Sequence, residues 1–525
     1  MKLIKNIGLS ILLLSVIVFT SILFLGKFRL SKRTYDEIAK DEGFRSEYLK
    51  KNLQNEVIDK SFTNIFSFSH AIEANIEKAN IYHKSKKEWN KILWGKTNSH
   101  TYKLAKKAGI GFVTENKVLL WWLTFGLGII GGLLFVIPDY VLLGEPGIKN
   151  DKIFQHSATN RGWIAWVVFT YLVGFYLLLY FAPAYVVNWT YLLDPISGTL
   201  NGGMASQWFV YGFMYCIIML VMGVRMYIKY RHNKYQIVRT TSVLFFQIVF
   251  AFLIPEIMTK FGKPGIDFKN AFPLDYDFFF EWNLKNLSQQ GNFGIFILVW
   301  GIVLTLVIVP IMVYFFGKRW YCSWVCGCGG LAETMGDPYR QLSSKKIKAW
   351  QLERWLIHSV LVFSIIMTVV TIYCYFTGSD NFLGISSQWI KDTYSFLIGA
   401  WFAGVIGTGF YPIFGNRTWC RFGCPLAAYM GLIQRFKSRF RITTNGGQCI
   451  SCGNCSTYCE QGIDVRAYAQ KGENIVRASC VGCGVCSAVC PRGVLKLENA
   501  PEKGRINPRE ILMGNDIDLL DYIEK

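Results

Sequence analysis

Apolar residues run in long unbroken blocks along this chain, not at the period of a strand or of a surface helix. Eight blocks, near 6–25, 118–137, 163–182, 207–224, 242–258, 293–316, 355–376 and 395–414, reach or approach the ~20 residues a helix needs to cross a bilayer. The fifth is short and carries Pro255 and Glu256. Between the first two blocks, residues 26–117 are polar and Lys-rich, with helical stretches such as Tyr35–Asp59 and Ile72–Trp94 that few Gly or Pro interrupt. The pattern predicts an α-helical integral membrane protein of about eight transmembrane helices, followed by a small domain. The layout is an anchor at 1–25, a mostly helical extracytoplasmic segment at 26–117, a seven-helix membrane domain at 118–434, a cysteine-rich domain at 435–498 and a tail at 499–525. Lys2 and Lys5 open the first block and no small-residue cleavage site follows it, which predicts an uncleaved anchor.

Composition agrees: 52% of residues are hydrophobic, 16% aromatic and only 17% charged. The net charge of +21 is therefore read loop by loop. Arg225, Lys229, Arg231, Lys234 and Arg239 lie in one connection, and Lys318, Arg319, Arg340, Lys345, Lys346, Lys348 and Arg354 in another. Both are predicted to be cytoplasmic by the positive-inside rule, which puts the N-terminus and the cysteine-rich domain on that side of an inner membrane. Residues 26–117 then fall outside despite their charge, as segments longer than ~60 residues can; were they cytoplasmic, one of the seven later blocks would not span. Membrane topology accounts for the positive charge, so nucleic acid is not an expected partner. Of fifteen cysteines, Cys216 and Cys374 lie within spans and none in the predicted outer segments, as reduced metal-binding thiols require.

Eight of those cysteines form a double run: Cys449, Cys452, Cys455 and Cys459, then Cys480, Cys483, Cys486 and Cys490 with Pro491 after it. This C-x2-C-x2-C-x3-C spacing is the bacterial pattern for [4Fe-4S] clusters, in which the fourth cysteine of each run serves the other cluster. The expected sets are Cys449, Cys452, Cys455 and Cys490 for one cluster, and Cys480, Cys483, Cys486 and Cys459 for the other, on a bacterial-type α+β ferredoxin domain. Zinc knots, the alternative, more often use separated CxxC pairs with histidine. Glu460 stands where proline usually follows the first run, which leaves the ligands intact and that cluster's potential open.

Other motifs weigh less. Gly126-x-Gly128-x-x-Gly131 matches the dinucleotide fingerprint in letters only, because it lies inside an apolar helix, where glycines serve helix packing. No phosphate-binding Walker loop occurs, which argues against a nucleotide-driven pump. Tyr185, Trp189 and Tyr191, and Phe278, Phe279, Phe280 and Trp282, are expected to form interfacial aromatic belts. His358 is the only histidine within a span and is a candidate for quinone or proton chemistry. Arg435, Lys437, Arg439 and Arg441 flank the last span, where they face anionic headgroups or simply mark the cytoplasmic side.

A repeat is buried in the second half. Phe316-Gly317-x-Arg319-x-Tyr321-Cys322-x-Trp324-x-Cys326 recurs 98 residues later as Phe414-Gly415-x-Arg417-x-Trp419-Cys420-x-Phe422-x-Cys424, each at the end of an apolar block. Cysteines at i and i+4 share a helix face, so Cys322, Cys326, Cys420 and Cys424 are candidate redox thiols or metal ligands, with Arg319 and Arg417 favouring thiolate.

With these motifs together, the chain resembles the membrane polyferredoxins of the NapH, NosR and CcoG/FixG type over about residues 290–498. Cys420, Cys424 and Pro425 match the family's CxxxCP motif; the first copy keeps the cysteines but has Gly327 in place of proline and adds Cys328. No flavin attachment motif is identified before the spans, and about 27 residues follow Glu498, too few for an Ig-like domain, so no one subfamily is selected. The resemblance implies electron transfer between the quinone pool or a cytoplasmic donor and a respiratory or assembly partner, as a component of an oxidoreductase system and not a self-contained enzyme. Two alternatives remain: an assembly factor that holds or reduces copper at the CxxxC cysteines, where soft thiolates select Cu(I), and an iron–sulfur redox sensor.

Overall fold

The computed structural model describes residues 2–41, 47–93, 97–142, 156–270, 278, 281–317, 320–378, 381–382, 384–436, 438–445 and 448–499. The acidic run of the tail, Lys318, Arg319, Lys437, Phe279, Phe280 and the side chain of Trp282 lie outside them. Among the described residues, seven helices are long and apolar enough to cross a membrane: Lys2–Phe24, Lys117–Pro138, Trp163–Phe181, Gln207–Lys229, Lys234–Lys260, Asn292–Phe316 and Ile347–Thr377. The fifth runs on past Pro255, with a π-helical stretch at Phe246–Leu253. The eighth predicted block is helical over Ser395–Ile406 and Gly407–Gly409 but is not among the seven. It stops at Phe410, before the short helix Tyr411–Phe414 with Pro412 in its first turn.

The chain divides into two compact units, the first comprising Met1–Asp139, Gly174–Val221 and Thr259–Gly262, and the second the rest. In the first, the glycines of the false fingerprint do what helix packing requires. A Cβ at Gly131 would lie 2.6 Å from the Leu12 backbone nitrogen, and one at Gly8 would lie 2.5 Å from that of Phe135, so only glycine lets these backbones meet.

Residues 26–117 contain the expected helices, Lys32–Asp41, Glu47–Glu56, Ile65–Ser85 and Thr97–Ala108. They also contain an antiparallel sheet, in which Lys27–Arg29 pairs with both Ser61–Phe62 and Gly109–Ile110. The sheet ties the two ends of the segment together over a core of Phe28, Leu30, Tyr35, Phe68, Ile72 and Ile76. Of the aromatic belt expected at 183–206, Tyr185 is half-buried and stacks on Phe66, and the other two rings are core instead. Trp189 and Tyr191 are buried on the helix Val187–Leu200, where the Trp189 Nε1 donates to the Phe19 carbonyl at 2.7 Å and the Tyr191 hydroxyl to that of Ala105 at 2.8 Å. Once their polar atoms are satisfied internally, these rings serve as core.

In the second unit, Phe440–Thr444 and Leu495–Asn499 form an antiparallel pair in the register Phe440 opposite Asn499. Between them come three short helices, Asn454–Thr457, Val465–Lys471 and Val485–Ala488, and both cysteine runs.

Candidate metal centres

Each cysteine run folds around left-handed residues on either side of its second cysteine. Ser451 (φ 58°) and Gly453 (φ 80°) flank Cys452; Gly482 (φ 65°) and Gly484 (φ 69°) flank Cys483. These turns wrap the loop about a point, which lets three sulfurs face inward. Ser451 is the one non-glycine of the four, a position an L residue occupies at some cost. Cys449, Cys452, Cys455 and Cys490 line one cavity, together with Ile450, Ala469 and Val494. Cys459, Cys480, Cys483 and Cys486 line a second, walled by Ile442, Ile463, Val465 and Ile475. Each cavity is thus lined by three cysteines of one run and the fourth of the other. Burial pushes the Cys455 thiol up to about 12 and those of Cys483 and Cys486 higher still. Burial also raises Cys459, offset in part by Lys345 and by the backbone N–H groups of Ile463 and Gln461. Four sulfurs in an apolar cavity favour neutral thiols until a cationic group arrives, which fits an iron–sulfur cluster.

The second run is fastened to the helices Lys234–Phe245 and Pro425–Phe436. Tyr235 donates to the Gly482 carbonyl at 2.9 Å, Gln236 to the Cys483 carbonyl at 2.6 Å, and Gln434 to the carbonyls of Arg477 and Ala478. Beside it lies a buried charge network that sequence reasoning missed. Glu333 pairs with Arg239 at 2.5 Å, with Arg417 at 2.6 Å and with Arg340. Glu460 pairs with Arg340 at 2.9 Å and Arg417 at 3.0 Å. Asp337 takes Arg340 at 2.7 Å, Lys229 at 2.9 Å and Arg225. Five cations against three carboxylates leave an excess of positive charge, and Glu333, Glu460 and Cys483 place ligand-type atoms within 4.8 Å of one another. Thiolate-ligated clusters are anionic, so this excess offsets the charge the second cavity acquires when filled. Arg225, Lys229, Arg239 and Arg340, counted from sequence as loop charge, therefore belong largely to this network. Glu460, where proline is usual, places its carboxyl group between Arg340 and Arg417.

Burial pushes the Asp337 carboxyl up, but Lys229, Arg225 and Arg340 outweigh it and hold it well below the usual carboxylate range. Its stabilising contribution is present above its unfolded value, about pH 4, and is lost as pH falls toward the folded value. Asp337→Asn should therefore flatten the acid limb of the stability profile below about pH 4, measured by unfolding in detergent. A wild-type limb left unchanged by the substitution would contradict this. Burial likewise raises Glu333, which the three arginines reverse, whereas Glu460 stays raised, by burial and by Glu333, against Arg340 and Arg417.

The CxxxC motifs are not on single helices. Cys322 sits in the helix Trp320–Trp324, while Cys326 is extended (φ −68°, ψ 139°) and caps the next helix, Gly327–Glu333. Cys420 sits in Thr418–Phe422, which Gly423 ends, and Cys424 precedes Pro425–Phe436. The shared-face expectation is overturned because each motif spans a helix break. The break is the same in both copies: the Cys326 N–H reaches back to the Tyr321 carbonyl at 2.8 Å, and that of Cys424 to Trp419 at 3.1 Å. Arg417 lies 4.0 Å from the Cys420 sulfur and donates to the Cys322 carbonyl at 3.0 Å. Cys322, Cys326 and Cys424 share one apolar layer with Cys483. His358 is half-buried on Ile347–Thr377, and its neighbours Ile357 and Leu361 pack on Ala428.

Comparison with known proteins agrees with this geometry. A family described as a 4Fe-4S binding domain matches residues 298–349 and 397–443, and one described as a 4Fe-4S dicluster domain matches residues 441–491. The chain is an iron–sulfur protein with ferredoxin-type 4Fe-4S domains. It is similar to the YccM protein of Escherichia coli, named for electron transport, at 26% identity over 35% of this chain and 52% of that one. It is also similar to the methylamine utilization ferredoxin-type protein MauN of Methylobacillus flagellatus, at 28% over 30% and 53%. An uncharacterized protein of Methanocaldococcus jannaschii matches at 25% over 34% and 67%. The chain thus spans about half the length of the first two relatives. No solved structure matches. The seven long apolar helices are those of a multi-pass membrane protein.

Proposed function

We propose that this iron–sulfur protein is a membrane-bound electron-transfer component. It relays electrons between the quinone pool, or a donor on the ferredoxin side, and a respiratory or assembly partner, with the ferredoxin domain on the cytoplasmic face of an inner membrane. The observation that carries this reading is the pair of cavities, each lined by four cysteines drawn from both runs. Cys449, Cys452, Cys455 and Cys490 would hold one [4Fe-4S] cluster and Cys459, Cys480, Cys483 and Cys486 the other, each supplying one-electron redox chemistry when bound. The protein's own contribution is to exclude water with Ile442, Ile463 and Ile475, to fix the second loop through Tyr235 and Gln236, and to set the local field with the Arg–Glu network. The names of two relatives, electron transport and ferredoxin-type, point the same way.

The test is anaerobic reconstitution of the full chain in liposomes with a quinol, following reduction of the clusters by EPR. Reduction by quinol, or oxidation of reduced protein by quinone, supports the relay. Loaded protein that never equilibrates with the quinone pool removes quinone from the proposal.

A further inference from the structure

The two cavities differ in how they meet the surface. Every residue lining the second is buried or half-buried, whereas the first opens on Ile450, Ser451, Cys452, Arg466, Pro491 and Arg492, all of them exposed. We propose that this open face is the docking surface for a soluble, acidic, one-electron carrier protein, and that electrons pass between carrier and chain there. The inference rests on reading the chain as an electron relay, and it names the cavity that meets the partner and the partner's chemistry.

Position is the first support. The Arg439 N–H donates to the Tyr314 carbonyl at 3.0 Å and the Ser438 hydroxyl to that of Val313 at 3.1 Å, so the strand Phe440–Thr444 sets out from the end of the helix Asn292–Phe316. Ile442, midway along it, lines the second cavity. Leu495, opposite Thr444 at its far end, lines the first, about 13 Å along the strand from Phe440 at ~3.3 Å per residue. Helix end, second cavity and first cavity therefore follow one another along the strand. Electron tunnelling weakens steeply with distance, so a carrier must come close to a cluster ligand. Of the eight cysteines in the two runs, Cys452 is the exposed one.

Charge is the second. Between residues 448 and 499 the exposed cations are Arg466, Lys471, Arg492 and Lys496, against one exposed carboxylate, Glu473. Asp464 is half-buried and accepts from the Ser456 hydroxyl at 2.7 Å. Arg466 and Arg492 stand at the mouth of the first cavity itself. A carrier of opposite charge is steered to such a face and oriented on it.

The face is also preformed. Gln470 donates to the Ser451 hydroxyl at 2.7 Å and the Arg466 N–H to that of Ser456 at 2.8 Å, which fixes the helix Val465–Lys471 against the first cysteine loop. Ile450, 55% exposed, and Pro491 add apolar surface beside the arginines, as a docking site with a charged rim requires. Contacts between redox carriers are small, below about 1,200 Å², so binding is weak and falls with salt. Each encounter moves one electron: the carrier is oxidised by one and the cluster held at Cys452 reduced by one, or the reverse, and no bond forms or breaks.

The experiment takes flavodoxin, a small acidic protein that carries one electron at a time, as the probe for the full chain reconstituted anaerobically in detergent. Surface plasmon resonance measures binding. Carbodiimide coupling of probe carboxylates to lysines, mapped by mass spectrometry, locates it, with Lys471 and Lys496 as the expected sites. Arg466→Glu with Arg492→Glu should weaken binding at least about tenfold at low salt, and Arg466→Lys with Arg492→Lys should keep it, both with the iron content of wild type. An equal charge reversal at the exposed Lys346 and Lys348, Lys346→Glu with Lys348→Glu, should leave binding unchanged. If it weakens binding as much, net charge and not this face attracts the carrier, and the proposal is overturned. Absence of binding at low salt overturns it too. So does binding that develops only once residues 516–525 are removed, because the chain's own acidic run, Asp516, Asp518, Asp521 and Glu524, would then be the occupant. Failure of the relay reading is distinct: the carrier couples at Lys471 and Lys496, yet reduced carrier passes no electron to the clusters by EPR.

Discussion

Arg417→Ala should destabilise the second unit by about 3–5 kcal/mol, the cost of breaking a buried ion pair by removing one partner. Arg417 is fully buried and is shared by Glu333 at 2.6 Å and Glu460 at 3.0 Å, while its other nitrogen reaches the Cys322 carbonyl. Its removal leaves two carboxylates, both buried, with Arg340 as their common remaining partner and Arg239 on Glu333 alone. Arg417→Lys should rescue little, because a lysine offers one charged point where the guanidinium serves three acceptors in a fixed fork. Adding Glu460→Gln to Arg417→Ala should return part of the loss, since it removes one of the stranded charges, with a coupling of about 0.5–3 kcal/mol. Denaturant unfolding in detergent, with iron retention followed in parallel, measures all three. A loss under about 1 kcal/mol for Arg417→Ala would show that the network is not closed as described.

The same network marks where sequence reasoning stops. The cysteine lining of the two cavities is legible because it is set locally: spacing within one loop places three sulfurs, and two-cluster folds in general bring the fourth cysteine of each run to the other cavity. The long helices are legible because a bilayer imposes their length. Glu333, Asp337 and Arg340 carry no such signal. Their partners lie as far as 120 residues away, and a buried arginine reads in sequence like a loop arginine counted for topology. Glu460, a departure from the usual proline, was the one visible trace. The three-stranded sheet near the N-terminus was hidden for another reason, as strands of two or three residues are too short to show a period. The CxxxC break was hidden because i and i+4 spacing suits a helix, and the back-reaching N–H bonds of Cys326 and Cys424 reveal the turn that interrupts it.

Exchange of the fourth cysteines yields the second large effect. Cys490→Ala should abolish the cluster of the first run while sparing that of the second, and Cys459→Ala should do the reverse, although each cysteine lies in sequence beside the cluster expected to survive. Each loss is about 4 irons per chain, so the count alone cannot assign it. The assignment comes from surroundings. The second cavity adjoins Glu333, Glu460 and the arginines, whereas the first is lined by Arg466 and Arg492 with no carboxylate among its lining residues. Neutralising Glu460 as Glu460→Gln should therefore shift the reduction potential of the cluster that remains in Cys490→Ala and leave unmoved the one that remains in Cys459→Ala. The sign is positive, because removing a negative charge near an anionic centre favours its reduction. EPR-monitored redox titration of the two double variants reads the difference directly. A shift in the Cys459→Ala background instead would mean that each run keeps its own fourth cysteine, and the two cavities would have to be reassigned.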